Sequence, residues 1–295
     1  MKHWIEAFRL RTLPLAWACI GMGGILAQQL LSPSFGLILL TATLLQILSN
    51  LANDYGDFKS GVDGKERVGP QRTVQAGKIT AGAMRQMMVV FAILSLVSGL
   101  SLLWLTTRHD GRAFLIFLGL GLAAIAAAIT YTVGKRPYGY VGLGDLSVML
   151  FFGWIGVGGT YFLLTLSWEW LILLPATTCG ALATGVLNLN NIRDIEADRR
   201  TGKRSLPVRM GRPLAVGYHH GLLLLAVAAT GGYLWLTHAS VSGWLPLLAS
   251  PLLLRNALAV QRIHDPKGLD PYLKQLALTT LLWVILFGIG QQHFF

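Results

Sequence analysis

Residues 39–63 read LLTATLLQILSNLANDYGDFKSGVD. A run of lipid-compatible residues passes directly into a polar stretch carrying Asp54, Asp57 and Asp63. The chain around it has 295 residues, 54% of them hydrophobic and only 13% charged. A soluble domain carries roughly 25% charged residues. Apolar runs of about 18 residues or more recur along the whole length, and each is long enough to cross a bilayer as a helix. The pattern predicts nine spans, near 12–31, 35–53, 84–106, 113–133, 144–166, 170–190, 214–236, 241–260 and 274–293. The expected fold class is all-α: a polytopic membrane protein with nine transmembrane helices in one bundle, residues 1–295 forming a single domain. The start, MKHWIEAFRLRTLPL, is a short amphipathic segment with no small-residue cleavage site after the first span, so no signal peptide is expected.

The formal net charge is +11. Nine spans place connections on alternating sides. One side takes the N-terminus and the loops near 54–83, 134–143, 191–213 and 261–273. Among the Lys and Arg residues, only Arg108 and Arg112 fall on the other side. The positive-inside rule then predicts a cytoplasmic N-terminus. The basic excess follows from topology and from attraction to anionic membrane lipid. Nucleic acid is not an expected partner.

The acidic residues gather in two of those loops. Asn50, Asn53, Asp54 and Asp57 recur at i, i+3, i+4 and i+7, which places them on one helix face. In GVLNLNNIRDIEADRRTGK (185–203), Asn191, Asp194 and Asp198 share a face in the same way. These faces end the second and sixth spans, a weak internal repeat. Carboxylates three or four residues apart repel, and they are costly at a membrane edge, so a positive partner is required. Oxygen ligands without His or Cys suit a hard cation, Mg2+ in particular, which takes one or two carboxylates and fills its shell with water and substrate phosphate. Two such faces meeting across a bundle would join Mg2+ to one diphosphate. Some loop cations are positive-inside determinants and others would clamp phosphate oxygens. Glu66, Asp265 and Asp270 are expected to be solvated turn residues.

Other polar residues say less. Cys19 and Cys179 lie inside apolar spans and are expected to pack there. The seven histidines show no metal-ligand spacing. The mid-span GMGG and GVGG runs predict close helix packing. Trp17, Phe151, Phe152, Trp154, Tyr161 and Phe162 are the span aromatics available to face a carbocation.

With these motifs in view, the sequence resembles the UbiA superfamily of intramembrane prenyltransferases, whose members have nine transmembrane helices and two aspartate-rich motifs, NDxxDxxxD and DxxxD. Here NDYGD supplies Asn53, Asp54 and Asp57, and DIEAD supplies Asp194 and Asp198. The third aspartate of the first motif would fall on Gly61, and an aspartate stands instead at Asp63. That departure, with LRTLPLA (10–16), ITYTVGKRPYGYVGLGD (129–145) and NLNNIRDIEADRRTGKRSLPVRMG (188–211), is similar to the branch that prenylates 1,4-dihydroxy-2-naphthoate in menaquinone synthesis.

The resemblance implies an octaprenyl-like polyprenyl diphosphate donor, 1,4-dihydroxy-2-naphthoate as acceptor, and loss of CO2 as the prenyl group replaces the carboxylate. It also implies a bacterial cytoplasmic (inner) membrane location. It implies that Asp54, Asp57, Asp194 and Asp198, with Asn53 and Asp63, hold Mg2+ against the departing diphosphate. Arg72, Lys135, Arg193 and Lys203 are the expected phosphate contacts, with Arg9 in the R-x-x-T-L-P stretch as a further one. The Gly/Pro-rich segment 131–145 is expected to form a lid. Its Tyr131 and Lys135 match positions the superfamily uses. Asp145 either orients an acceptor hydroxyl or caps the next helix. Alternative expectations are a relative acting on 4-hydroxybenzoate or homogentisate, and, from another class, a secondary transporter. Transporter sites sit near the bilayer midplane, whereas these carboxylates sit at span ends.

Overall fold

The computed structural model describes residues 2–61, 69 and 71–291. Every regular element among them is helical. A short helix α1 (Lys2–Phe8) precedes α2 (Leu13–Leu26). Eight further helices are long and apolar enough to cross a membrane: α3 (Pro33–Lys59), α4 (Ala81–Thr107), α5 (Gly111–Thr130), α6 (Gly144–Thr165), α7 (Trp170–Arg193), α10 (Arg212–Leu236), α11 (Val241–Arg262) and α12 (Pro266–Gly290). Two short helices, α8 (Ile195–Arg200) and α9 (Leu206–Met210), lie between α7 and α10.

The expected first span near 12–31 is shorter than the sequence pattern suggests. Helix α2 has 14 residues, about 21 Å at 1.5 Å per residue. It stops because Gln28 adopts a left-handed conformation (φ 56°) and the Gln29 amide donates to the Leu164 carbonyl, 2.9 Å away. Helix α3 departs from expectation the other way. Ser32 caps it by accepting from the Phe35 N–H at 3.1 Å, Pro33 opens it, and it runs for 27 residues. About 20 residues cross the hydrocarbon core. Counted from Pro33, lipid is left behind near Ala52. Asn53, Asp54 and Asp57 occupy the extra helical turns beyond it.

Small residues allow the central helices to touch. In α6 the segment Met149–Gly159 is π-helical, a wider winding found in short stretches. A Cβ on its Gly153 would stand 2.7 Å from the Ala176 carbonyl oxygen and 2.8 Å from Gly180 Cα in α7. A Cβ on Gly23 of α2 would stand 2.5 Å from the Val157 carbonyl oxygen and 2.6 Å from Thr160 Cβ. The GMGG and GVGG runs therefore meet each other. Cys19 and Cys179 are buried beside them, in a core shared with Met22, Val157, Leu234 and Phe287. Polar groups within this packing pair across helices. Thr178 meets Thr230 at 3.0 Å, and His219 meets Asn256 at 2.9 Å.

These contacts set a stability test. Gly23→Ala should lower the thermal midpoint in detergent, at a cost of about 1–3 kcal/mol for overpacking. Gly21→Ala, whose Cβ would come no closer than 3.7 Å to Val284 Cγ1, should leave it unchanged or raise it. Helical circular dichroism on heating separates the two; equal midpoints would refute close α2–α6 contact.

Candidate active site

The C-terminal turns of α3 bring the first acidic face against the end of α5. Gly56 is the residue that permits this, because a Cβ there would lie 2.6 Å from the Thr132 carbonyl oxygen. Thr132 Oγ1 donates to the Ala52 carbonyl at 2.9 Å and to Asn53 Oδ1 at 3.2 Å.

The two aspartates of NDYGD then part company. Asp57 meets Arg72 at 2.5 Å and accepts a 2.5 Å hydrogen bond from the Tyr140 hydroxyl. Arg72 also donates to the Asn53 carbonyl. Asp54 turns the other way, and its carboxylate is 1% exposed as a residue. It accepts from Thr73 Oγ1 (2.6 Å), Thr73 N–H (3.2 Å) and Val74 N–H (3.3 Å). Asp54 thus pins the segment that carries Arg72, and it does not line the cavity. Asp54 is expected from the sequence to hold Mg2+; in this structure Thr73 and Val74 occupy both its oxygens. Asp63 lies outside the described residues.

The second acidic face is held by its own cations. Arg193 at the end of α7 donates to both oxygens of Asp194, at 2.8 and 2.6 Å, and reaches Asp270 at 2.6 Å. Asp270, expected to be a solvated turn residue, is therefore part of the site. Asp198 is 3% exposed and receives Lys203 Nζ at 3.1 Å and Ser205 Oγ at 3.3 Å. Burial pushes its carboxyl above the usual carboxylate range, an effect that the Lys203 charge opposes.

Tyr140 joins the halves. Its hydroxyl bonds Asp57, its ring lies 6.0 Å from Lys203 Nζ, and its carbonyl accepts from the Arg204 N–H at 2.8 Å. Burial and then the Asp57 charge raise its hydroxyl pKa. It stays protonated and serves as a donor. The loop sequence gave Tyr140 no distinct role. The Tyr131 hydroxyl is likewise raised, by burial first and the Asp145 charge second.

A cavity of about 630 Å³ opens between these groups. Among the described residues Arg9, Arg11, Arg72, Arg193, Lys203 and Lys274 line it, against two carboxylates, Asp57 and Asp270. Its other end is apolar, with Ile20, Ile38, Leu103, Phe117, Phe151 and Phe152 among its walls. Tyr131, Tyr138 and Asn53 also line it. Asp194 and Asp198 lie just behind Arg193 and Lys203.

Two further expected residues do not reach the cavity. Lys135 is exposed, because Gly134 (φ 127°) turns the tip of the loop outward. Asp145 is buried in the first turn of α6, behind Tyr131, with Tyr218 against its carboxylate. It is not a helix cap either: Leu143 holds the cap position and makes no side-chain cap bond. Of the span aromatics, Phe151 and Phe152 line the cavity. Trp17 and Trp154 are each 42% exposed on the outer surface, and Tyr161 and Phe162 lie off the cavity.

The described residues contain no cluster of three or more His, Cys, Asp or Glu arranged to hold a metal ion. The donor set still fits Mg2+. It consists of oxygens alone, and the buried Asn191 Oδ1, on a cavity-lining residue, has no hydrogen-bond partner. Mg2+ ordinarily takes only one or two carboxylates from the protein.

Comparison with known proteins agrees with this architecture. The model of the UbiA prenyltransferase family matches residues 15–278. The chain is 46% identical over 292 residues to 1,4-dihydroxy-2-naphthoate octaprenyltransferase of Escherichia coli (strain K12), spanning 98% of this chain and 94% of that protein. It is 44% identical over 295 residues to the Haemophilus influenzae protein of the same name, spanning 98% and 96%. A UbiA homolog from Archaeoglobus fulgidus bound to GPP and Mg2+ superposes with a TM-score of 0.64 over 99% of both chains, at 17% identity, a likeness of fold.

The Asp54 clamp is testable without any substrate. Thr73→Val removes the 2.6 Å hydroxyl bond to a buried carboxylate, a loss of about 1–3 kcal/mol. The expected result is a lower thermal midpoint and faster protease cutting within residues 71–79. Unchanged protection of that segment would refute the clamp.

Proposed function

The chain belongs to the UbiA prenyltransferase family, and we propose that it acts as one multi-pass membrane domain that prenylates 1,4-dihydroxy-2-naphthoate. It transfers a polyprenyl group from a polyprenyl diphosphate with loss of diphosphate and CO2, giving demethylmenaquinol, the quinol form of demethylmenaquinone, in menaquinone synthesis. The activity printed for its full-length relatives supports this reading. The observation that carries it is the two-ended cavity. A cation-rich mouth suits a diphosphate, and the apolar interior suits an isoprenoid tail. An octaprenyl donor is the assignment the relatives' name favours. The distribution of Lys and Arg favours a cytoplasmic active site and N-terminus, and the bacterial relatives favour the cytoplasmic membrane.

Three of the cations at the mouth already have carboxylate partners. Arg72 holds Asp57, Arg193 holds Asp194 and Asp270, and Lys203 holds Asp198. A diphosphate entering the mouth offers these cations phosphate oxygens in place of carboxylate oxygens. Asp57, Asp194 and Asp198, with Asn53 and Asn191, are the residues that would hold Mg2+, while Asp54 fixes the segment that carries Arg72. When bound, Mg2+ supplies positive charge that stabilises the departing diphosphate. Arg72, Arg193 and Lys203 stabilise the same developing charge from fixed positions. Arg9 extends the cationic rim.

The allylic cation left behind must not meet water before the ring attacks it. Phe151, Phe152 and Phe117 form an apolar wall, and aromatic faces favour a cation. The Tyr131 hydroxyl, kept protonated by burial, would donate to an acceptor oxygen. Electrons of the acceptor ring form the new carbon–carbon bond, the carboxylate leaves as CO2, and its bonding pair restores the aromatic ring.

The test is an assay in detergent with carboxyl-labelled dihydroxynaphthoate, a polyprenyl diphosphate, and either Mg2+ or EDTA. Label should leave as CO2 while a lipophilic product forms, and EDTA should abolish both. Asp57→Ala, Asp194→Ala and Arg72→Ala should each lower turnover by about 10²–10³-fold without loss of helical structure. Turnover of 4-hydroxybenzoate in place of the naphthoate would reassign the acceptor. Full activity in EDTA would remove the metal.

A further inference from the structure

A second hollow, about 340 Å³ in volume, lies outside the site, between α11 and α12. On α12 its wall is Pro271, Lys274, Leu278 and Leu282, a single stripe at i, i+3, i+7 and i+11. Leu252 of α11 faces that stripe. The polar residues along it are engaged. Gln275 donates to the Leu252 carbonyl at 3.0 Å and to Thr279 Oγ1 at 2.9 Å, and it accepts from Asn256 at 2.6 Å. What the groove presents is therefore an apolar channel with one charged group, Lys274, at one end.

Three features identify an occupant. From Pro271 to Leu282 is eleven residues, about 16 Å of helix. That is close to half of the roughly 30 Å hydrocarbon core, or one leaflet. The Lys274 end lies in the first turns of α12, at the same end of the bundle as Asp270 and the carboxylates, where a lysine ammonium reaches the headgroup layer. A second cation flanks it. Arg255 is exposed and stands three residues beyond Leu252 on α11. The bonds from Gln275 to the Leu252 carbonyl and from Asn256 to the Tyr272 carbonyl place Arg255 level with residues 272–275.

We propose that this groove is a binding site for an anionic phospholipid, with one acyl chain along Pro271, Leu278 and Leu282 and the phosphate between Lys274 and Arg255. Helix α12 separates it from the cavity, because Leu273 and Ala277, on another face of α12, line the cavity. Lys274 touches both spaces. The bound lipid therefore fixes the helix that carries Asp270, the partner of Arg193.

The probe is phosphatidylglycerol, with phosphatidylcholine as the uncharged control, measured by native mass spectrometry of the full chain released from detergent. Phosphatidylglycerol should be retained about tenfold or more over phosphatidylcholine, as two flanking cations imply. Lys274→Gln should reduce that preference. Leu278→Trp, a substitution at a position 45% exposed, should fill the groove and abolish retention while helicity is kept. On the unaltered protein, a phosphatidylglycerol with a photoreactive acyl chain should label residues 271–282. Equal retention of the two lipids, labelling elsewhere, or retention undiminished in Leu278→Trp would overturn the proposal. So would displacement of the lipid by a polyprenyl diphosphate, which would make the groove part of the donor's path.

Discussion

The contact on which the site depends is Asp57 between Arg72 and Tyr140. A carboxylate buried at the edge of a bilayer is costly unless it is paired and hydrogen-bonded. Here the pairing comes from two different connections. Arg72 comes from the loop between α3 and α4, and Tyr140 from the loop between α5 and α6. The solvation requirement of one side chain thereby gathers two loops over the cavity mouth. Tyr140 then reaches Lys203, which is bound to Asp198. The two acidic faces, far apart in sequence, become one electrostatic unit through a tyrosine.

This arrangement also gives a role to Asp54, the first aspartate of the pair, although it faces away from the cavity. Asp54 takes three donors from Thr73 and Val74, immediately after Arg72. A guanidinium on the 21-residue connection between α3 and α4 would otherwise be ordered only at considerable entropic cost. The carboxylate stabilises the ordered loop, so Arg72 is already oriented when a diphosphate arrives. Preorganised charge of this kind does not have to reorient during the reaction.

Much of this was legible in the sequence. Helix-length apolar runs, the i, i+3, i+4, i+7 acidic face and the small-residue seams all follow from local periodicity, and all appear in the folded chain. Where several other side chains end up depends on tertiary placement. Asp270 looks like a turn residue until Arg193 is brought to it from α7. Lys135 and Tyr140 belong to one Gly/Pro-rich loop, and periodicity does not say which of them turns inward. Asp145 has no local feature that reveals Tyr131 between it and the cavity. The short first helix depends on the left-handed Gln28 and on a side-chain bond to Leu164, neither of which is encoded in hydropathy.

The ion pairs at the mouth also govern what the resting site can bind. Arg72, Arg193 and Lys203 are each satisfied by an aspartate, so a ligand must offer better oxygens and also compensate the carboxylates it displaces. A simple monoanion does the first poorly and the second not at all. In the proposed reaction a diphosphate arriving with a divalent cation would do both, its phosphate oxygens taking Arg72, Arg193 and Lys203 and the cation taking the aspartates. The exchange is close to charge-balanced, which keeps the desolvation cost low in a site bordered by lipid. Selectivity for a metal-bearing diphosphate over other anions then follows from the paired state of the resting site, before any contact with the isoprenoid tail is made.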